Sequence, residues 1–141
     1  MMRVVLDTDV LVAALRSPQG GSAEVLRLAR AGRLQLVLSV ALALEYESVA
    51  TRPEQLGAIG ATRRQVLAAL DDIAAMADVA HGHFRWRPQV RDPADEMVLE
   101  AAINGRAGVL MSFNQRDFGD APARFGVLLC TPADYLRSLP T

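Results

Sequence analysis

Short apolar runs alternate along this chain with longer stretches in which apolar residues recur every three or four positions. The short runs predict buried strands, and the longer stretches predict amphipathic helices. The predicted strands are residues 3–6, 34–38, 78–81, 109–111 and 127–129. The predicted helices are residues 10–15, 23–31, 40–50, 63–76, 93–104 and 132–139, with a loop or one helical turn at 53–60. Because apolar strands that alternate with helices favour a covered parallel sheet, we predict one three-layer α/β/α domain over residues 1–141, with a mainly parallel central sheet.

Polar residues suited to capping stand before most of the predicted helices. These predicted caps are Ser22, Ser39, Thr62, Asp92 and Thr131. The last two are each followed by proline, alanine and then an acid, Asp95 or Asp134, at the third helical position. The positive end of the helix dipole favours an acid there, so both acids have a structural explanation. Asp95 has acidic companions in the predicted fold and Asp134 has none, so we interpret Asp134 as structural.

The first apolar run of the chain ends in an acid, Asp7. In an open α/β sheet, the crevice at the carboxyl ends of the strands is where ligands bind. A buried carboxylate there needs solvent, hydrogen bonds or a cation. Asp7 can also cap the helix that follows. Asp9 can add another acid to this rim, although we interpret it first as the cap of the first helix.

Three further acids are predicted to reach the same rim. Glu45 lies mid-helix on the side that carries Ala41, Leu42 and Val49, where an acid is a misfit unless it has a function. Asp95 begins the helix before the fourth strand, and Asp117 follows that strand. Each acid thus lies near the carboxyl end of a strand or in the first part of a helix.

Several carboxylates in one crevice repel one another, by roughly 4 kcal/mol for two charges about 4 Å apart at an effective dielectric constant of about 20. All fifteen basic residues are arginine, so the chain has no lysine to neutralise these acids or to act in catalysis. A cation that prefers oxygen ligands, Mg²⁺ or Mn²⁺, would offset the repulsion. Such a site activates water and offsets charge on a phosphate, as in metal-dependent nucleases.

The composition excludes several classes of protein. A net charge of −1 at pH 7 excludes a globally basic nucleic-acid binder. No stretch resembles a signal peptide or reaches the length of a membrane span, so we expect a cytoplasmic protein. The single cysteine, Cys130, cannot form an intrachain disulfide, and we expect it to be inert core.

Four acidic segments stand in an order and at spacings that are typical of one family. They are residues 4–12 around Asp7, 39–45 ending in Glu45 with Arg52-Pro53 beyond it, 91–102 around Asp95, and 112–118 around Asn114 and Asp117. Residues 131–136 resemble the family's terminal strand-to-helix step. Together these segments resemble the PIN domain family over essentially the whole chain, and specifically its toxin-like bacterial members such as the VapC ribonucleases.

This resemblance implies an endoribonuclease that cleaves single-stranded RNA with Mg²⁺ or Mn²⁺. It implies the toxin of a toxin-antitoxin pair, neutralised by a cognate antitoxin protein and often forming a homodimer. The implied catalytic residues, which would hold the metal and activate water, are Asp7, Glu45, Asp95 and Asp117. The expected metal ligands among them are Asp7, Asp95 and Asp117. The implied supporting residues are Asn114, Ser112 and Asp9.

The fourth segment departs from the family pattern in part. Asn114 stands where many relatives carry an acid, and Ser112 stands where threonine is common. If that acid is needed, metal binding weakens, and the alternative is a catalytically impaired PIN-like module that binds RNA or a protein partner. Asp7 and Asp9 also suit aspartate phosphotransfer, as in haloacid dehalogenase-like phosphatases, but those enzymes and receiver domains use a lysine that this chain lacks.

Arginine and aromatic residues cluster just before the third acidic segment, at residues 81–87. From this cluster Arg85 and Trp86 are candidates to contact an RNA phosphate and a base. Arg91 and Arg116, which flank the acids, are further candidates for phosphate contacts. A packed or partner-facing loop is the alternative for residues 81–87.

Overall fold

A computed structural model describes residues 1–81 and 88–140, which form a parallel sheet flanked by helices. The strands are β1 (Arg3–Leu6), β2 (Gln35–Leu38), β3 (Asp78–Val79), β4 (Val109–Met111) and β5 (Leu128–Cys130). The helices are α1 (Thr8–Arg16), α2 (Gly21–Arg30), α3 (Val40–Ala50), α4 (Pro53–Ile59), α5 (Arg63–Met76), α6 (Pro93–Asn104), α7 (Gln115–Phe118), α8 (Ala121–Arg124) and α9 (Pro132–Ser138). The predicted α/β class is confirmed.

Strand β1 lies at the centre of the sheet. The strand order is β3-β2-β1-β4-β5, and every neighbouring pair is parallel. The chain builds outward from β1 through β2 to β3, and then resumes on the other side of β1 with β4. Open sheets bind ligands at such a reversal of strand order, outside the carboxyl ends of the strands. We therefore expect a ligand site at the rim where β1 and β4 end.

The apolar strands are buried because helices cover the sheet. Helix α6 packs across β1, β2 and β4, whereas α1 packs on β1 and against α2, which in turn packs against α9. Val4 and Val5 of β1 and Leu110 of β4 are fully buried. Burial of this kind contributes about 25 cal/mol for each Å² of apolar surface removed from water, and it fixes the central strand firmly.

Most of the predicted helix caps are confirmed. The side chains of Ser39, Thr62, Asp92 and Thr131 accept hydrogen bonds from backbone N–H groups in the first turns of α3, α5, α6 and α9. The prediction for Ser22 is wrong. Helix α2 begins two residues earlier than predicted, with Gly20 as its N-cap, so Ser22 lies buried inside the first turn.

Three other sequence predictions concern the single cysteine, the candidate RNA contacts Arg85 and Trp86, and membrane-spanning helices. Cys130 ends β5 and is buried, as expected, and burial raises the pKa of its thiol. Residues Arg85 and Trp86 lie outside the described residues. Across residues 1–81 and 88–140, no helix combines the length and the apolar character needed to cross a membrane.

Candidate active site

Asp7 is the first residue after β1, and it is held at the rim by two hydrogen bonds. One carboxylate oxygen, Oδ1, accepts from the backbone N–H of Thr8 at 2.7 Å, so Asp7 is the N-cap of α1. The other, Oδ2, accepts from Ser112 Oγ at 2.6 Å. The side chain is 7% exposed. Asp7 is thus both a helix cap and a buried acid of the crevice, and the two predicted roles coexist.

Ser112 joins β4 to this acid. Leu6 pairs with Met111 in register, so the residues that follow them, Asp7 and Ser112, face each other across the end of the sheet. Ser112 is fully buried, and its Oγ also accepts from the backbone N–H of Asn114 at 2.9 Å. Burial raises the pKa of Asp7, while the hydrogen bonds from Ser112 and Thr8 act against that rise. The carboxylate is therefore fixed in place by hydrogen bonds, and no arginine within residues 1–81 and 88–140 forms an ion pair with it.

Asp9 is not the cap of the first helix, which corrects the interpretation made from sequence. Helix α1 starts at Thr8, and Asp9 lies inside its first turn. Its Oδ2 accepts from the backbone N–H of Phe113 at 3.1 Å, and its Oδ1 is buried without a hydrogen-bond partner in the part of the chain that the structure describes. Burial first, and then the negative charge of Asp7, raise the pKa of Asp9 to about 6. Asp9 belongs to the crevice itself, beside Asp7.

Asp95 reaches the same crevice from the first turn of α6. It is 7% exposed, and its Oδ2 is buried with no hydrogen-bond partner among residues 1–81 and 88–140. Burial raises the pKa of Asp95 to about 6, with smaller contributions from the charges of Asp7, Asp92, Asp117 and Asp9 in that order. Because charge effects fade with distance, this electrostatic coupling indicates that the acids of β1, α6 and α7 share one region.

Glu45 lies half-buried on α3 and lines a cavity of about 740 Å³ together with Asp7 and Asp9. Its predicted neighbour Val49 lines this cavity too, but Ala41 is exposed, so the predicted apolar side of α3 is wrong at that position. Leu42, also predicted on that side, is buried, and the buried face of α3 runs along Leu42, Tyr46 and Ala50. Glu45 lies beside that face, where it meets the cavity.

Asp117 is exposed, and its position differs from that of the buried acids. Its Oδ2 accepts from Asn114 Nδ2 at 2.9 Å, so the amide holds this carboxylate. Asp117 lines a second cavity, of about 440 Å³, together with the exposed Arg91 and Arg116. Its charge nevertheless raises the pKa of Asp95. Asp117 therefore lies between the acidic crevice and a rim that carries arginines.

A sequence profile of a PIN domain family matches residues 3–116. The chain belongs to the PIN domain family. Its fold is similar to that of VapBC2 from Rickettsia felis, solved bound to a DNA fragment from its promoter, with a TM-score of 0.58 and 16% identity over 91% of this chain and 97% of that one. It is equally similar to VapBC-1 from nontypeable Haemophilus influenzae, with a TM-score of 0.58 and 16% identity over 94% of this chain and 99% of that one. No curated protein matches the chain.

The acids of this PIN domain have the right chemistry for a divalent cation, but they do not form a closed coordination sphere. Among residues 1–81 and 88–140, no three carboxylate, histidine or cysteine side chains are gathered so that they could hold a metal ion. Two buried carboxylate oxygens, on Asp9 and Asp95, nevertheless have no hydrogen-bond partner among these described residues. Oxygen atoms of this kind are the ligands that Mg²⁺ and Mn²⁺ prefer, so the donor set fits such a cation.

Two residues that support the PIN site were missed in the sequence. Tyr46 is buried on α3, and its hydroxyl donates to the carbonyl oxygen of Leu6 at 2.5 Å, directly before Asp7. Glu96 Oε2 accepts from the backbone N–H groups of Gln89 at 2.9 Å and Val90 at 3.1 Å, so it ties the approach to α6 onto that helix. A tyrosine on an apolar helix face was the available signal, because a buried hydroxyl needs a partner.

Proposed function

We propose that this PIN domain is a metal-dependent endoribonuclease that cleaves single-stranded RNA in the cytoplasm, as the toxin of a toxin-antitoxin pair. The observation that carries this proposal is the convergence of Asp7, Asp9 and Asp95 beside the ends of β1 and β4. Two of these acids keep buried carboxylate oxygens without a partner among the described residues. Buried like charges are costly, and they are retained mainly where a cation or a reaction uses them.

We assign the catalytic work to Asp7, Glu45, Asp95 and Asp117, with Asp7, Asp95 and Asp117 as metal ligands. A bound Mg²⁺ or Mn²⁺ would lower the pKa of a water molecule and offset charge on the phosphate. Ser112 and Thr8 hold the Asp7 carboxylate in one orientation, and Asn114 does the same for Asp117. Glu45, on the cavity wall, accepts a proton from the water whose oxygen bonds to phosphorus; the P–O bond to the leaving ribose oxygen breaks, and that oxygen takes a proton from solvent.

The proposed partner is a cognate antitoxin protein. Both similar structures are VapBC complexes, and this likeness supports a partner of the VapB kind for the present chain. Arg91 and Arg116 are proposed to contact RNA phosphates, since both are exposed and line the cavity that carries Asp117. The homodimer expected from the family resemblance stays a prediction, which sedimentation of the purified protein tests.

A cleavage assay on labelled single-stranded RNA with Mn²⁺ tests the proposed activity. We expect cleavage by the wild type, none in EDTA, and none by Asp7→Asn, whose side chain keeps its size but loses its charge. Leu128→Ala, an exposed residue on β5, is the control and should cleave normally. Cleavage that persists in EDTA or in Asp7→Asn would contradict the metal-nuclease proposal.

The second candidate function is a PIN module that binds RNA or protein without cleavage. It is favoured by the lack, among the described residues, of a ready group of three metal-binding side chains, and by Asn114 in the fourth segment. Titration with Mn²⁺, followed by calorimetry, separates the two. Absence of Mn²⁺ binding, together with absence of cleavage over a broad panel of RNAs, would establish the module in place of the enzyme.

A further inference from the structure

The cavity of about 740 Å³ is a groove that follows one face of α1. Thr8, Asp9, Val12, Ala13 and Arg16 all line it, at spacings that place them on one side of the helix. At 1.5 Å per residue, the groove extends about 12 Å from the acids at the start of α1 to Arg16 at its end. The acidic crevice is therefore only one end of a longer surface, and the catalytic assignment leaves the rest without a role.

An exposed aromatic ring stands beside the acids at the first end of this groove. Phe113 is 53% exposed, although it belongs to a fold whose other phenylalanine at this rim, Phe118, is buried. Its backbone N–H donates to Asp9 Oδ2, so its position is fixed relative to the acids. A large apolar ring held in water next to charged groups is costly unless something covers it. Nucleobases stack on such rings, whatever their sequence.

The walls of the groove carry apolar side chains together with the polar side chains of Gln55 and Glu45. The apolar ones are Val12, Ala13, Val49 and Ala58. Gln55 is half-buried and lines the groove, so it places an amide beside these apolar side chains. Apolar walls with one adaptable amide suit the flat face and the polar edge of a base.

A cation closes the far end of the groove. Arg16 is exposed at the end of α1, and it makes no ion pair with any residue in the ranges 1–81 and 88–140. Glu45 lines the same groove, yet the arginine is not paired with it. An exposed guanidinium that is not engaged in these ion pairs is available to a phosphate, to which it can donate two parallel hydrogen bonds.

We propose that this groove is a nucleotide subsite next to the scissile phosphate, in which a base of the single strand stacks on Phe113 and the phosphate beyond it binds Arg16. Gln55 hydrogen-bonds the edge of that base and favours one base over others. The proposal rests on the ribonuclease function above. It makes Phe113 and Gln55 determinants of where the strand is cut, and it adds Arg16 to the substrate-binding residues.

Binding of a 5′-labelled single-stranded RNA hexanucleotide, measured by fluorescence anisotropy, tests this subsite. The measurements are made with Mg²⁺ in the proposed inactive background Asp95→Asn, and the RNA is checked to be intact. Phe113→Ala should weaken binding by about 10-fold, within the range known for base–aromatic stacking. Phe113→Tyr should retain the affinity, because it keeps the ring. Leu128→Ala removes a similarly exposed apolar side chain outside the groove and should change nothing.

The salt dependence of RNA binding distinguishes the contribution of Arg16 from that of Phe113. Arg16→Ala should flatten the slope of log K against log salt by about 0.7, the value for one phosphate contact to a single strand. Phe113→Ala should leave that slope unchanged. The matched control is Arg30→Ala, which removes the exposed last residue of α2, away from the groove. In the active chain with Mn²⁺, Gln55→Ala should redistribute the cleavage sites among bases.

The possible results distinguish this subsite from the proposed function. If the hexanucleotide binds, but Phe113→Ala matches Leu128→Ala or Arg16→Ala matches Arg30→Ala, the subsite is overturned and the ribonuclease stands. If no RNA binds to the inactive background and none is cleaved by the active chain, both proposals are wrong.

Discussion

Two helices of this protein begin with the same local pattern and meet different surroundings. Asp92 and Thr131 cap α6 and α9, and each is followed by proline, alanine and an acid. Asp95 of α6 is 7% exposed, and burial and neighbouring negative charge raise its pKa to about 6. Asp134 of α9 is exposed, and a hydrogen bond with Thr131, followed by Arg137, holds its pKa below the usual value.

The difference arises from what each helix packs against. Helix α6 lies across β1, β2 and β4, so its first turn faces the rim where Asp7 lies. Helix α9 packs against α2 at the periphery. The same residue at the same helical position is therefore a candidate metal ligand in one place and a solvated structural residue in the other. The surroundings of an acid, rather than its local motif, indicate a functional role.

The largest expected effect is on cleavage of RNA. Asp95→Asn should reduce the rate of cleavage of labelled single-stranded RNA with Mn²⁺ by about 100-fold or more, because it removes a proposed metal ligand. Asp134→Asn carries the same substitution in the same local pattern and should cleave within a factor of about 2 of the wild type, as expected for a surface site. Equal losses in the two variants would remove the distinction between the helices.

The second-largest expected effect is the stabilisation of the folded protein by bound metal. Mn²⁺ at about 100 times its dissociation constant should stabilise the folded wild type by about 2.7 kcal/mol. For a domain of this size, that free energy corresponds to an increase of roughly 5–10 °C in melting temperature. Asp134→Asn should show the full increase and Asp95→Asn only a small part of it. Differential scanning fluorimetry with and without EDTA measures both, and an undiminished increase in Asp95→Asn would contradict its role as a ligand.

Without metal, the two acids should have different effects on stability. Asp95→Asn should raise the melting temperature in EDTA at pH 7 by roughly 2–6 °C, because it removes a buried charge that neighbouring carboxylates repel. Asp134→Asn should leave it unchanged or slightly lower, since that carboxylate has partners. Thermal unfolding followed by circular dichroism gives both values. A destabilised Asp95→Asn would show that the carboxylate serves folding.

The pH dependence of stability should also have different signs at the two sites. The pKa of Asp95 rises from 3.8 to about 6 on folding, so its contribution is fully present below about pH 4 and is lost as the pH rises through about 6. The pKa of Asp134 is lowered on folding, so its contribution is present above pH 3.8 and is lost as the pH falls through the folded-state pKa. In EDTA, Asp95→Asn should reduce the fall in stability between about pH 4 and 7.

Chemical denaturation at a series of pH values measures this dependence. Asp134→Asn is the control, and its stability should decrease above pH 4 as that of the wild type does. Part of the fall should also persist in Asp95→Asn, because burial raises the pKa of Asp9 to about 6 as well. A pH profile of Asp95→Asn identical to that of the wild type would contradict the assignment of this titration to Asp95.

The smallest expected effect concerns the partner of Asp134. Arg137 lies on the surface beside it, three residues further along α9. Exposed ion pairs of this kind contribute little to stability, so Arg137→Ala should change the melting temperature by no more than about 3 °C. It should not affect cleavage. A large effect on either quantity would mean that α9 has a role that its surface position does not indicate.

The strand and helix patterns made the fold predictable from sequence. All five predicted strands correspond to strands of the sheet, within a few residues at their ends. The short helices α7 and α8 were missed, because four residues are too few to show a helical period. Ser22 was wrongly predicted as a cap because a neighbouring glycine occupies that position without a side-chain hydrogen bond, and glycine gives only a weak capping signal.

The site was predictable in its membership and much less so in its arrangement. Asp7, Asp9 and Asp95 could each be named from their positions after strands or at helix starts, and the structure brings them to one crevice. Asp9 was given the wrong local role, since α1 starts two residues earlier than predicted, which moves Asp9 from the cap into the first turn. The support from Tyr46 and Glu96 depends on contacts between distant segments, which a pattern along one segment does not contain.

By itself, the sequence determined the elements of this protein, the parallel sheet and the set of acids, because each depends on local periodicity, capping and residue chemistry. The tertiary structure decided which of two identical helix starts faces the crevice, which carboxylate oxygens lie buried without a partner, and that the crevice continues along α1 to Arg16. Burial and electrostatic coupling depend on distances between segments far apart in the chain, and packing alone sets those distances.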